Sequence, residues 1–241
     1  MEDHGFRLNP ALDAERLAAA FGRNRRLHIP DFLAPEGAQS LYQALRNEKS
    51  WKVVLRHGGN RYEFDPATYT RAQRDQLDLF VRQANPEGIH YCFEAILVPD
   101  GERERAASPT ALNRLARFLS SGPVLSMMRT VCGIPEISFA DAQGTAFGPN
   151  DFLGVHDDQL EGKDRRAAYV LNLSPSWQID WGGLLLFPGG DGHIAEAYTP
   201  RFNALNIFAV PQMHSVSMVV PFAGERRYAV SGWFRSGQPP E

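Results

Sequence analysis

Apolar positions follow two different periods along this chain, and the change falls near residue 137. Before it, apolar residues recur at helical spacing. Asn9 and Pro10 open a pattern through Leu12, Leu17, Ala20 and Phe21 that Gly22 stops, with proline near the start and glycine at the end. Positions 26–32 read as a short strand and turn, and 34–46 as a helix with Ala38, Leu41, Tyr42 and Leu45 on one face. Thr70 with Gln73 makes a capping box for a helix reaching about Ala84. Ser108 and Pro109 start another, with Leu112, Leu115, Ala116 and Leu119 on one side. Gly122 and Pro123 separate it from 124–132, which Gly133 closes.

Beyond 137, strand-like runs follow one another at 138–147, 152–158, 167–173, 183–187, 204–210, 214–220 and 227–234, with Gly, Pro, Asn and Asp between them. Many short strands without intervening helices predict an antiparallel sandwich or barrel. The expected fold is α+β, mainly β. A helical and strand support region over 1–136 packs on a β core over 137–241, in one compact unit without repeats or a flexible linker.

Composition narrows the class. With 43% hydrophobic and 22% charged residues the chain is not disordered. A net charge of −3 argues against a nucleic-acid partner held by bulk electrostatics. Two cysteines, Cys92 and Cys132, exclude a disulfide scaffold and read as reduced core thiols. No apolar run approaches the roughly 18 residues of a membrane span. The start lacks the basic and apolar regions of a secretory signal, so the expected location is cytoplasmic. Asn172-Leu173-Ser174 is formally a glycosylation sequon, but inside an apparent strand it carries no expectation of modification.

The common nucleotide, hydrolase and zinc-protease motifs are missing, which leaves seven histidines. His156-Asp157-Asp158 is the informative cluster. On a strand, His156 and Asp158 share one face and Asp157 takes the other. His214 opens a later strand and can complete two histidines and a carboxylate, the facial triad of non-haem iron oxygenases. An H-x-D is common by chance, so the next element matters more. Arg227 lies 13 residues after His214 at the head of an apolar strand, where a guanidinium is costly to bury without an anion. Strand parity puts Arg227, Ala229, Ser231 and Trp233 on one face. Arg226 is expected to pair with Glu225. His28, His57, His90 and His193 read as surface or satisfied histidines, and the runs 23–26 and 163–166 as solvated basic faces.

With these residues in view, 142–235 resembles the Fe(II)/2-oxoglutarate-dependent dioxygenases, which have a double-stranded β-helix (jelly-roll) fold. His156, Asp158, His214 and Arg227 meet that family's HxD…H…R pattern. Trp181-Gly182-Gly183-Leu184 and the run from Tyr228 to Phe234 are similar to strands of its prolyl hydroxylase branch. More narrowly, His156 to Gly162 (HDDQLEG) followed by Ala168-Tyr169-Val170-Leu171 is similar to the prolyl hydroxylases that modify a small-subunit ribosomal protein.

The resemblance implies Fe(II) on His156, Asp158 and His214, 2-oxoglutarate held by Arg227, O2 as oxidant and ascorbate as a reductant. It also implies hydroxylation of a prolyl residue in a protein or peptide, with release of succinate and CO2, and no membrane or nucleic-acid partner. Phe147, Leu171, Val216 and Trp233 are candidate pocket walls, and Arg61 and Tyr62 lie in a candidate substrate loop.

Some features depart from the family. Phe147 stands where relatives have a tyrosine that reaches the cosubstrate, which makes Tyr169 a candidate replacement, and Ala229 stands where they have a Ser or Thr two residues after the arginine, which leaves Ser231 as the nearer hydroxyl on that face. The ribosomal group carries a second, inactive barrel, for which 241 residues leave no expected room. Trp233 stands where nucleic-acid demethylases have a second arginine. A small-molecule hydroxylase, a silent metal-binding module and a cupin-like enzyme indifferent to 2-oxoglutarate stay open, as does the oligomeric state.

Overall fold

A computed structural model describes residues 5–83 and 88–239. In chain order the elements begin with α1 (Ala14–Asn24), β1 (Arg26–Ile29), α2 (Pro35–Asn47), β2 (Lys52–His57), β3 (Asn60–Phe64), α3 (Arg71–Gln83) and β4 (Ile89–Leu97). Three helices follow, α4 (Glu102–Ala107), α5 (Ala111–Leu119) and α6 (Gly122–Cys132). The strands of the second half are β5 (Ile137–Ala140), β6 (Gln143–Phe147), β7 (Phe152–His156), β8 (Arg165–Asn172), β9 (Leu185–Pro188), β10 (Ile194–Tyr198), β11 (Ala204–Ala209), β12 (His214–Val216) and β13 (Arg227–Ser236).

Local chemistry decides where several elements begin. The first helix starts at Asp13, whose carboxylate accepts the Arg16 N–H, and it runs through Gly22 to a left-handed cap at Arg25. Asn9 instead closes a turn by accepting the Ala11 N–H, so the expected start at Pro10 is one turn early. The α5 cap is Thr110, not Ser108, because the Thr110 hydroxyl accepts the Asn113 N–H. Gly122 and Pro123 form the first turn of α6 rather than a gap, and Gly133 ends that helix at φ +65° as expected. The Thr70–Gln73 capping box forms in both directions. The expected end of that helix, Ala84, lies outside the described residues.

Every strand pairing is antiparallel, and the sheet follows the order β1-β11-β8-β13-β6-β4-β7-β12-β9-β10. It folds over on itself as a jelly roll. β11, β8, β13 and β6 make one wall, and β7, β12, β9 and β10 make the other. β4 joins the walls by pairing β6 through Glu94–Leu97 and β7 through Tyr91 and Cys92. At the opposite side the Arg26 Nε of β1 meets the Glu196 carboxylate of β10 at 2.5 Å, closing the two ends of the path. The 138–147 run is broken because Asp141 exchanges hydrogen bonds with the Trp233 backbone, which turns the chain between β5 and β6.

Alternation along the wall strands separates two cores. Leu171, Leu205, Ile207, Val230 and Phe234 face the helices and meet Phe21, Leu41, Leu115 and Met128. Phe147, Ala168, Phe208, Leu185, Phe187 and Val216 face the barrel interior. Cys92 and Cys132 are buried free thiols, and burial pushes Cys132 up to about 12. Among the described residues no helix is long and apolar enough to cross a membrane. Asn172 is fully buried and donates to the Ala204 carbonyl, so its sequon is inaccessible in the folded chain.

Leu115, with no exposed surface in the helix-backed core, gives the test of this layering. Leu115→Ala should lower unfolding stability by about 2–5 kcal/mol in a urea titration. A change below 0.5 kcal/mol, by the same order-of-magnitude scale, would mean that the helices do not pack on the wall as described.

Candidate active site

Antiparallel pairing sets His156 at the end of β7 directly opposite His214 at the start of β12. Their ring centroids are 4.1 Å apart. Asp158 joins them by a route the strand pattern does not contain. β7 stops at His156, and Asp158 adopts φ +65°, a left-handed conformation that short polar residues tolerate best. The expected continuous strand through 158 is therefore a strand followed by a turn. That turn folds the carboxylate back between the rings, with Oδ1 3.2 Å from His156 Nε2 and Oδ2 3.4 Å from His214 Nε2. Arg165 steadies it by donating to the Asp158 carbonyl at 3.0 Å.

The two imidazoles are fixed in one tautomer. His156 Nδ1 lies 2.9 Å from the Gly154 carbonyl and His214 Nδ1 lies 2.8 Å from the Gln212 carbonyl. A carbonyl only accepts, so each Nδ1 carries a proton, and Nε2 is the nitrogen that would turn a lone pair to a metal. The ligand atoms of all three residues lie within 4.8 Å of one another, and they are the one such group among the described residues. Burial opposes the charge on Asp158, but the hydrogen bond from His156 and the nearby histidines outweigh it and hold the carboxyl below its usual range. Burial pushes His214 down to about 4. Burial also disfavours protonation of His156, yet its hydrogen bond to Asp158 and that residue's charge carry its pKa above the usual histidine value. An ionised carboxylate with imidazole lone pairs is a donor set that fits a divalent iron-like cation.

Arg227 lies on the inner face of β13, deeper in the barrel. It is 2% exposed, and desolvation alone lowers its pKa to about 10. Among the described residues no carboxylate pairs with it, and its buried Nε has no hydrogen-bond partner. Among the described residues its one acceptor is Asn172 Oδ1, at a long 3.4 Å. The guanidinium stands 5.2 Å from the Phe147 ring, which itself stacks on Phe93 at 4.7 Å. Gly183, at φ +63°, lets the opposite wall approach, since a Cβ there would stand 3.1 Å from Arg227 Cδ. The neighbouring Arg226 pairs with Glu94 of β4 at 2.5 Å, not with Glu225 as expected. A buried cation whose donors are unmet is a receptor for an external carboxylate.

The other expected site residues divide. Parity holds on β13, where Arg227 and Trp233 belong to the interior face with Phe147 and Val216. The buried Trp233 indole N–H has no acceptor within bonding geometry, yet it lies close enough to Asp158 to favour the charged carboxylate. Tyr169 and Leu171 are corrections. Both face the helices, and the Tyr169 hydroxyl donates to the Asp141 carbonyl at 2.8 Å. The parity of β8 sends Ala168 inward, and so sends Tyr169 outward. Ser231 faces inward, but it stands four residues, about 13 Å, from Arg227 along the strand. It accepts from Gln143 at 3.2 Å and cannot share Arg227's anion.

Arg61 and Tyr62 lie on β3 of an exposed hairpin. Arg61 pairs with Glu63, and Tyr62 stacks on Phe64. Two expected solvated basic runs are partly inward. Arg165 covers the Trp233 ring at 3.4 Å, and Arg26 covers Phe187 at 4.7 Å. Asn172, Asn206 and Arg165 line the site without being expected there from the sequence. Asn172 and Asn206 were legible in principle as polar residues at inward positions of apolar strands.

Metal affinity should follow the titration of His156. At a pH above its raised pKa the site is in its ligand form. Below it, one proton competes and affinity should fall about tenfold per pH unit. Mn(II) titrations between pH 5 and 8 check this, and a flat profile across that window would contradict the assigned protonation states.

Comparison with known proteins agrees with this geometry. Residues 142–235 match the family model described as 2OG-Fe(II) oxygenase superfamily. The prolyl 3-hydroxylase OGFOD1 of Xenopus laevis is 41% identical over 101 residues, covering 39% of this chain and 19% of that protein. Its Mus musculus counterpart is 41% identical over 111 residues, covering 43% of this chain and 20% of that protein. The matched region thus spans about a fifth of these curated relatives. Among solved structures, a Pseudomonas putida prolyl-4-hydroxylase superposes with a TM-score of 0.62 at 15% identity, covering 94% of this chain and all of that one. A Trichoplax adhaerens prolyl hydroxylase, solved with a hypoxia inducible factor peptide fragment, superposes with a TM-score of 0.59 at 18% identity, covering 92% of this chain and 90% of that one. The matched residues 142–235 contain all three members of the triad and Arg227, inside the same jelly roll.

Proposed function

We propose that this protein is an Fe(II)- and 2-oxoglutarate-dependent dioxygenase that hydroxylates a prolyl residue in a protein or peptide. The observation that carries the cosubstrate is Arg227, a buried guanidinium without an anion in the barrel that also holds the triad. His156, Asp158 and His214 would hold Fe(II), which supplies oxygen activation coupled to conversion of 2-oxoglutarate into succinate and CO2.

The chain's own residues bind, orient and exclude water. Arg227 pairs with the distal carboxylate of 2-oxoglutarate, and Asn172 Oδ1 holds one edge of the guanidinium in place. Phe147 and Phe93 form a dry wall beneath it, which strengthens the ion pair by keeping solvent away. The low pKa of His214 keeps its Nε2 available at neutral pH. Phe147 has no hydroxyl to offer the cosubstrate, and Tyr169, the expected substitute, faces the other core.

A prolyl substrate is supported by the names of the relatives and of the structural neighbours. The exposed β2–β3 hairpin, with Tyr62 at 41% exposure, is the surface we assign to grip a peptide. A small-subunit ribosomal protein is the first candidate, in the cytoplasm, where Cys92 and Cys132 stay reduced and ascorbate can re-reduce the iron.

Two measurements test this reading. Fe(II)-loaded protein should release CO2 from 2-oxoglutarate slowly without substrate. Arg227→Ala should raise the KM for 2-oxoglutarate by about a hundredfold, the cost of a lost charge-assisted pair. Absence of decarboxylation, with 2-oxoglutarate binding equal to that of Arg227→Ala, would end the oxygenase assignment. Proline-containing ribosomal peptides should then gain the mass of one oxygen, and matched peptides carrying hydroxyproline should not. Gain on a free small molecule instead would move the substrate class.

A further inference from the structure

The amino-terminal strand β1 carries a residue into the barrel that the family pattern does not name. Register aligns His28 of β1, Asn206 of β11, Val170 of β8, Ser231 of β13 and Gln143 of β6 in one row across the wall. Asn206 shares its face with Phe208, which belongs to the interior core and lies 4.5 Å from the His214 ring. Asn206 has no exposed surface, and its Nδ2 has no hydrogen-bond partner. Its Oδ1 is 2.7 Å from His28 Nδ1. An amide oxygen only accepts, so His28 donates, and this contact orients the amide with its NH2 away from β1. The His28 ring is held in turn near Tyr198, at 5.7 Å between centroids.

The position of the row decides what the amide can serve. One row along the strands lies Phe208 against His214, on the triad side. Two rows the other way lies Arg227, beyond the row of Asn172 and Ala204. Asn206 therefore stands between the triad and Arg227, nearer the triad. A buried amide with two unmet N–H groups costs free energy unless an acceptor reaches it.

Given the oxygenase reading on which this rests, we propose that Asn206 donates to the metal-proximal carboxylate of 2-oxoglutarate, and that His28 is the positioning residue that holds its amide. This supplies a neutral donor in a barrel where Phe147 brings no hydroxyl.

The experiment measures affinities by calorimetry on the Mn(II)-loaded full chain, with Mn(II) affinity determined separately. Asn206→Val should weaken 2-oxoglutarate about tenfold, the loss of one hydrogen bond to a charged group. It should leave Mn(II) affinity unchanged. Levulinate, which keeps the distal carboxylate and the keto group but carries a methyl group in place of the proximal carboxylate, should bind Asn206→Val and the parent chain equally. His28→Phe should weaken 2-oxoglutarate about threefold, His28→Gln should restore it, and the double variant should be no weaker than Asn206→Val alone.

Unchanged 2-oxoglutarate affinity in Asn206→Val, while Arg227→Ala loses it, would overturn the proposal and leave the oxygenase reading standing. Failure of the parent chain to bind 2-oxoglutarate would instead remove that reading. Equal losses for levulinate and 2-oxoglutarate would put Asn206 in a general packing role and overturn the proposal. Should Asn206→Val fail to fold, the half-exposed His28 pair decides, and an effect of His28→Phe that His28→Gln does not rescue would overturn it.

Discussion

The desolvated guanidinium of Arg227 is the constraint around which the barrel is organised. A cation with no partner inside a protein is costly, and the chain holds it with one long amide contact and the face of Phe147, itself backed by Phe93, rather than a carboxylate. The triad presents the complementary imbalance, a carboxylate held ionised beside a neutral His214. A divalent cation would turn that end positive. The interior would then carry one positive charge at each end, and a linear dicarboxylate would neutralise both. The two halves of the site make electrostatic sense as a pair, each left incomplete by the protein.

The geometry between those ends comes from alternation on four strands. A residue one position off its expected parity faces the helices instead of the cavity, which is why Tyr169 and Leu171 belong to one core and Ala168 and Asn172 to the other. The amino-terminal region is also more than a brace. β1 contributes His28 to the interior row, Arg26 ties the first strand of the path to the last, and Glu94 neutralises Arg226 so that, of the two adjacent arginines, Arg227 is the one left without a carboxylate.

Much of this was legible in the residues. The change of period near 137, the H-x-D with a later histidine, and the arginine at the head of the last strand point to the site because each is local or carried by parity. Asp158 was misread in conformation, since a strand and a left-handed turn deliver the same side chain to the same place. Strand β4 went unread. Its sequence, IHYCFEAIL, mixes periods, and its identity rests on partners 46 to 62 residues later in the chain. Arg226 went to Glu94 rather than the adjacent Glu225 for the same reason, because tertiary pairing outranked proximity in sequence.

That same β4 has a consequence for how the molecule can be assembled. It is synthesised before either strand it joins, and it sits between β6, which leads toward Arg227, and β7, which ends in His156. Residues 142–235 carry every proposed ligand but not this splice. Cut out alone, that segment would leave β6 and β7 with bare hydrogen-bonding edges facing one another across a gap. The chemistry is thus local in sequence while its cooperativity is not. Closure must wait for contacts of long sequence separation, the kind that slow folding and expose strand edges in the meantime.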